Sequence, residues 1–295
     1  MNNRSTLPCV PRSAAATPVP PAPLALALLA LALPALPAAA GHTNNIMITG
    51  YWPNTNNMVR QFSTNPAQNP AGWQGENWRG SGYNIHSFFP EFPGQTGPSW
   101  GKGEGDFEVD YQDTSADWWR ITDQIKPVAI ITFSRGASGL SWEVESRNRN
   151  RTSWTSDYLA PFQPDQSPPD PTWPANAYRD STLPMQNIVT AVNNSAVGVP
   201  AFIDTSAGAG GTFLSEYIGY HGLWYQSMHS DPNDPAWSVA AGHIHVGVGV
   251  SEEQGRLLTE ISLEELIAHV NTIVPAPGSA IVLALGGLPA GRRRR

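Results

Sequence analysis

Cysteine is almost absent from this chain: there is one in 295 residues, Cys9. That excludes a disulfide framework and a thiolate metal site, and beyond the first few residues it excludes a cysteine nucleophile. Charge is also sparse. Charged residues make up 14%, and the 17 Lys and Arg are outnumbered by 24 Asp and Glu. A net charge of −7 argues against nucleic acid as a partner, because phosphates need Lys and Arg. Long apolar runs occur only near the two ends. Neither is an unbroken stretch of the roughly 20 residues that a comfortable membrane span requires.

The ends have layouts of their own. "PLALALLALALPALPAAAGHT" is rich in Leu and Ala, is broken by Pro34 and Pro37, and passes through Ala38-Ala39-Ala40 to Gly41. With Arg4 and Arg12 upstream and no acid among them, residues 1–40 read as a secretory signal cut after Ala40. At the other end, residues 274–295 hold a Pro-rich turn, a short apolar segment and four arginines. This tail resembles the PEP-CTERM sorting tail of bacterial exosortase substrates, with Ala276 where Glu usually stands between the two prolines. The resemblance implies a sorting protease at the membrane and a mature protein at the cell surface or outer envelope of a bacterium. A plain tail anchor is the other reading. Two basic residues leave with the leader and four with the tail. The remaining eleven face all 24 acids, so the body of 41–273 carries a charge near −13. That suits a soluble extracellular protein.

About 230 residues remain, enough for one sizeable domain. Strands are expected over 44–52, 83–89 and 128–133, then at "PAFIDT" and "GHIHVGV". Helices are expected at "TSADWWRITDQIKP", capped by Thr114 or Ser115, from Pro184 onward, after Gly210, and at "SLEELIAHVNTI", capped by Ser262. Strand and helix alternate. The expected architecture is therefore α/β: a three-layer, open, mostly parallel twisted sheet with helices on both faces. Two long insertions, 54–82 and 151–180, are read as covering lids or disordered stretches.

Three groups stand out chemically: Glu143 in "SWEVESRN", Ser215 in "GGTFLSEYIGYHGLW" and His245 in "GHIHVG". A hydroxyl becomes a useful nucleophile when a base takes its proton, and histidine does so near neutral pH. A carboxylate on the other ring nitrogen fixes the tautomer. N–H groups in the first turn of the helix after Gly210 suit an oxyanion, and glycines such as Gly211 let a substrate approach the main chain. Each residue also has a plainer role available: a local hydrogen bond for Ser215, a structural place for His245, an ion pair with Arg147 for Glu143. His243 and His245 share a strand face, so a metal site completed by His221 or His229 is a further reading, unsupported by any other motif.

Taken in order, "ITGYWPNTN", "KPVAIITFSRG", "STLP", "GGTFLSE", "GHIHVG" and "ISLEELIAHV" resemble the pyroglutamyl (pyrrolidone-carboxylate) peptidases over about Asn45 to Ile273. That family removes an N-terminal pyroglutamate with a Cys, a His and a Glu, and needs no cofactor. The resemblance places the acid at Glu143 and the base at His245. It places the nucleophile at Ser215, where the family has its cysteine. It also implies a peptide or small amide as substrate, bound through Tyr51, Trp52, Arg135 and Gly211. "FSRGASG" and "GYWPNTN" depart from the family's usual pocket segments, which weakens the inference of pyroglutamyl specificity. A hydroxyl in the thiol's place leaves two outcomes open. One is a working Ser-His-Glu hydrolase. The other is a non-catalytic relative that binds a peptide or glycan at the same cleft.

Overall fold

Short runs of β-branched and aromatic residues supply the middle of the molecule. The computed structural model describes residues 42–94, 100–136, 139–206 and 211–274. The expected leader lies outside the described residues, and so does the expected tail apart from Val274. The elements in chain order are β1 (Asn45–Thr49), α1 (Pro53–Val59), β2 (Asn84–Phe88), β3 (Pro90–Glu91), β4 (Glu104–Gly105), α2 (Tyr111–Ile125), β5 (Ala129–Arg135), β6 (Trp142–Glu145), β7 (Arg147–Arg149) and β8 (Tyr178–Asp180). They continue with α3 (Met185–Asn194), β9 (Ala201–Asp204), α4 (Leu214–Met228), β10 (Ala240–Val246) and α5 (Glu252–Ile273).

Six strands form one sheet in the order β2-β1-β5-β10-β6-β9. Neighbours run parallel except at β10–β6, where the direction reverses. The inner strands β5 and β10 are buried along almost their whole length. Alternation along them divides the core. Ile131, Phe133, Ile244 and Val246 pack with residues of α1, α3 and α5. Ile130 and Ala241 pack with residues of α2 and α4. The expected layered, mostly parallel α/β architecture is therefore the observed one.

Some local expectations change. The first strand ends at Thr49, and the chain enters α1 inside the segment expected to be a loop. Pro53 opens that helix because its missing N–H costs nothing in a first turn. The cap of α2 is Asp110, whose side chain accepts from the N–H groups of Gln112 and Asp113. Thr114 and Ser115 already lie inside the helix. α5 begins ten residues before Ser262. Its cap is Ser251, in a reciprocal box with Gln254, and the Ser262 hydroxyl bonds back to the Leu258 carbonyl at 2.8 Å.

The segment 151–180 is fastened to the body at several points. Asp157 accepts from the Tyr111 N–H at 3.0 Å. Buried Asp170 accepts from Arg179 at 2.7 Å and from the Tyr220 hydroxyl at 3.1 Å. Asn150 donates to the Asp170 carbonyl at 2.8 Å.

Candidate active site

The site is assembled where β10 and β6 run side by side in opposite directions. His243 and His245 project from the same face of β10, toward α4, because side chains alternate along a strand. Thr132 and Ser134 project from β5 on that face. Their hydroxyls meet the two nitrogens of His243, at 2.7 Å for Nδ1 and 2.8 Å for Nε2. Burial, helped by the neighbouring His245, holds His243 well below the usual imidazole range. It is a neutral ring spanning two hydroxyls, and its edge-on contact supports His245 at 4.7 Å between ring centroids.

His245 has a different environment. Its Nδ1 stands 2.7 Å from a carboxylate oxygen of Glu145, which is fully buried. Burial alone would lower the pKa of this imidazole. The Glu145 contact and charge, joined by the charges of Glu143 and Glu216, outweigh burial and raise it. The other Glu145 oxygen accepts from Asn148 Nδ2 at 2.7 Å, so the acid is fixed from both sides.

The carboxylate placed against the ring is thus Glu145 and not the expected Glu143. Glu143 is the ladder partner of His245, but one of its oxygens accepts from the Ser141 hydroxyl at 2.6 Å. Residues 143 and 145 share a face, and the carboxylate that reaches Nδ1 is the one diagonal to the ring. A Cβ at Gly136 would come within 3.1 Å of the His245 Cβ and 3.2 Å of the second Glu143 oxygen, so the bare glycine leaves room beside both. The signal for Glu145 was present in the sequence: Glu145 to Asn150 repeats the spacing of Glu143 to Asn148.

Ser215 is the second residue of α4 and is half-buried in its first turn. The N-cap, Phe213, contributes no capping side chain. The next residue, Glu216, turns toward β7. Its carboxylate accepts from the Arg149 N–H, lies 3.5 Å from Asn148 Nδ2 and lies 3.8 Å from Arg151 Nε. Burial, with the charge of Glu145 added, pushes the Glu216 pKa up to about 7. One side-chain amide, that of Asn148, thus touches both acids. α4 can approach this closely because a Cβ at Gly219 would lie 2.9 Å from Asn148 side-chain atoms. Sequence reading missed Glu216 because its neighbour drew the attention.

Beyond the C-terminal ends of β1, β5 and β10 lies a cleft of about 230 Å³, lined by Trp52, Thr55, Trp100, Arg135 and Val246 among others. Trp52 and Arg135 therefore stand where a ligand would be, and Trp52 is held flat against Phe92 at an interplanar angle of 4°. Tyr51 does not. It is 1% exposed and hydrogen-bonds to Thr114, so it is a core residue and offers no stacking face. Gly211 is exposed, has φ +72° and, like Ser215, Glu145 and His245, is not among the residues lining the cleft. The metal-completing histidines are elsewhere: His221 Nδ1 meets the Tyr217 carbonyl and His229 pairs with Asp234. Among the described residues Glu145, His243 and His245 have donor atoms within 4.8 Å of one another, and each is engaged by protein partners.

The architecture is a mostly parallel three-layer α/β sheet with a His–carboxylate pair held across two inner strands, β10 and β6. Solved structures that share this fold include pyrrolidone carboxyl peptidases. One is from Thermococcus litoralis, at 17% identity and TM-score 0.56, covering 79% of this chain and 97% of that one. Another is from Pyrococcus furiosus, solved with its Cys-free mutant, at 16% identity and TM-score 0.54, covering 77% and 99%. No protein-family model matches the sequence, and no curated protein does. At these identities the likeness establishes the fold.

Proposed function

We propose that the protein is an exported hydrolase that cleaves a peptide or amide bond, with Ser215 as nucleophile, His245 as base and Glu145 as the acid that orients it. The observation that carries this reading is the buried 2.7 Å contact between His245 Nδ1 and Glu145. With Nδ1 protonated toward the carboxylate, Nε2 is the nitrogen that takes the proton of an attacking hydroxyl. The Ser215 oxygen adds to the scissile carbonyl, and first-turn N–H groups of α4 stabilise the oxyanion. The imidazolium then protonates the leaving amine. Water, deprotonated by the same ring, releases the acyl group as a carboxylic acid and restores the serine. The leader and the sorting-type tail fit a surface location, where a serine resists the oxidation that a lone thiol would suffer.

One observation favours the alternative of a non-catalytic binding protein. When Glu216 is ionised, it places negative charge beside the atoms that would have to carry an oxyanion. A fluorophosphonate probe separates the two readings. Labelling of the folded protein that is lost in Ser215→Ala and in His245→Ala supports the hydrolase. A folded protein that takes no label between pH 6 and 9 overturns it.

A further inference from the structure

Every other arginine among the described residues has a hydrogen-bond or ion-pair partner. Arg135 has none there, and it is exposed. It is the last residue of β5, and its ladder partner is Val246. His245 is paired one step earlier, with Ser134. Alternation sends the Arg135 and His245 side chains to opposite faces of the sheet, so they can serve one ligand only beyond the strand ends. The cleft opens there, with Arg135, Val246, Trp52 and Trp100 in its wall; among the described residues that line it none is acidic, and His245 lies one residue outside it, before Val246. Adjacent strands lie about 4.8 Å apart and a residue rises about 3.3 Å, so the two backbone positions are about 6 Å apart. That is the scale of one amino-acid side chain.

From this we infer that the cleft takes an acyl group carrying a carboxylate, so that the preferred substrate is an amide of an acidic residue such as N-terminal glutamate rather than a neutral lactam. The inference rests on the hydrolase reading above for the cleavage, but not for the binding. A guanidinium with no internal partner receives a carboxylate through paired N–H donors. In a chain this acidic it is a local exception to the surface charge. The flat indole of Trp52, braced by Phe92, covers the apolar stem of the side chain. The reaction is the hydrolysis already written, with glutamate and a free amine as products.

The test uses the full-length protein in two arms. In the first, kcat/KM is measured for the α-glutamyl, glutaminyl and pyroglutamyl amides of 7-amino-4-methylcoumarin. The expected preference for glutamyl over glutaminyl is about 10- to 100-fold, the scale of one charged hydrogen-bonded contact, and Arg135→Gln collapses that ratio to within about threefold. A pyroglutamyl preference, or a glutamyl preference untouched in Arg135→Gln, overturns the proposal. In the second arm, glutarate dianion is titrated against indole fluorescence. Saturable binding that is lost in Arg135→Gln and partly kept in Arg135→Lys supports the anion cleft. No binding to the unaltered protein overturns it, whatever the first arm shows. Glutarate binding without turnover of any amide overturns the hydrolase reading and leaves the cleft standing. Arg135 is exposed, so matched melting temperatures will show that the variants remain folded.

Discussion

Replacing Glu216 with Gln should stabilise the protein in alkaline buffer and do little in acid. The carboxyl group is 1% exposed, and burial together with Glu145 raises its pKa from 4.5 to about 7. A raised pKa means that the folded state prefers the protonated form. The associated stability is complete below pH 4.5 and is lost as pH rises through about 7. At 1.36 kcal/mol per unit, the full loss is about 3 kcal/mol once the pH is well above 7. Glutamine has the shape of the protonated acid and can still accept from the Arg149 N–H, but it forfeits attraction to Arg151 and places an amide near Asn148. The net gain expected at pH 8.5 is therefore about 1–2 kcal/mol. For a domain of this size that is a rise in Tm of about 2–8 °C, with a change of under about 1 °C at pH 4.5. Differential scanning calorimetry at the two pH values reads the difference directly. An equal gain at both would show that the gain does not come from ionisation, and a loss at pH 8.5 would show that the buried carboxylate is favourably paired; either would refute the reasoning.

Three further substitutions test the acids of β6 and the fastening of the segment 151–180. Glu145→Gln should slow fluorophosphonate labelling by about 10²–10⁴-fold, because the amide no longer fixes the imidazole tautomer, whereas Glu143→Gln should change it by less than about tenfold; the reverse order would return the orienting role to Glu143. Asp170→Asn should cost about 3 kcal/mol at pH 7 by leaving the nearly buried Arg179 unpaired. Burial works against ionisation of Asp170, but its bonds to Thr172, Arg179 and Tyr220 prevail and hold its pKa below the usual carboxylate value. Its stabilisation is thus present above pH 4 and fades as the pH falls through that lowered value, so the Tm difference between variant and parent should close in strong acid.

The layered fold was legible because its inner strands are plain apolar runs. "VAIITF" can hardly be anything but a buried strand, and the helices between the strands carry ordinary start signals. β6 was not legible. "WEVE" alternates large apolar residues with acids, which looks like a solvated edge, yet all four residues are buried. Glu143 is received by the nearby Ser141 and Glu145 by Asn148 and by His245 of β10, and no local pattern encodes the contact with β10. The position of α5 was misjudged for a simpler reason: "SEEQ" is a complete capping signal, but Ser262 stands closer to the apolar stretch. Tyr51 read as a binding-site aromatic because it precedes Trp52 in a turn. One residue of rotation separates the core from the cleft, and sequence alone does not reveal which of two adjacent rings faces inward.

The reversal of direction at β6 has a consequence for how this protein could change over time. Where β6 runs against β10, a slide by one residue would turn both glutamates away from the imidazole, but a slide by two in one direction would bring Glu143 to the place that Glu145 now holds. Tinkering with the length of the preceding turn is thus forgiving in even steps and ruinous in odd ones, and a lineage could pass the acid's duty from one glutamate to the other without a generation that lacks it.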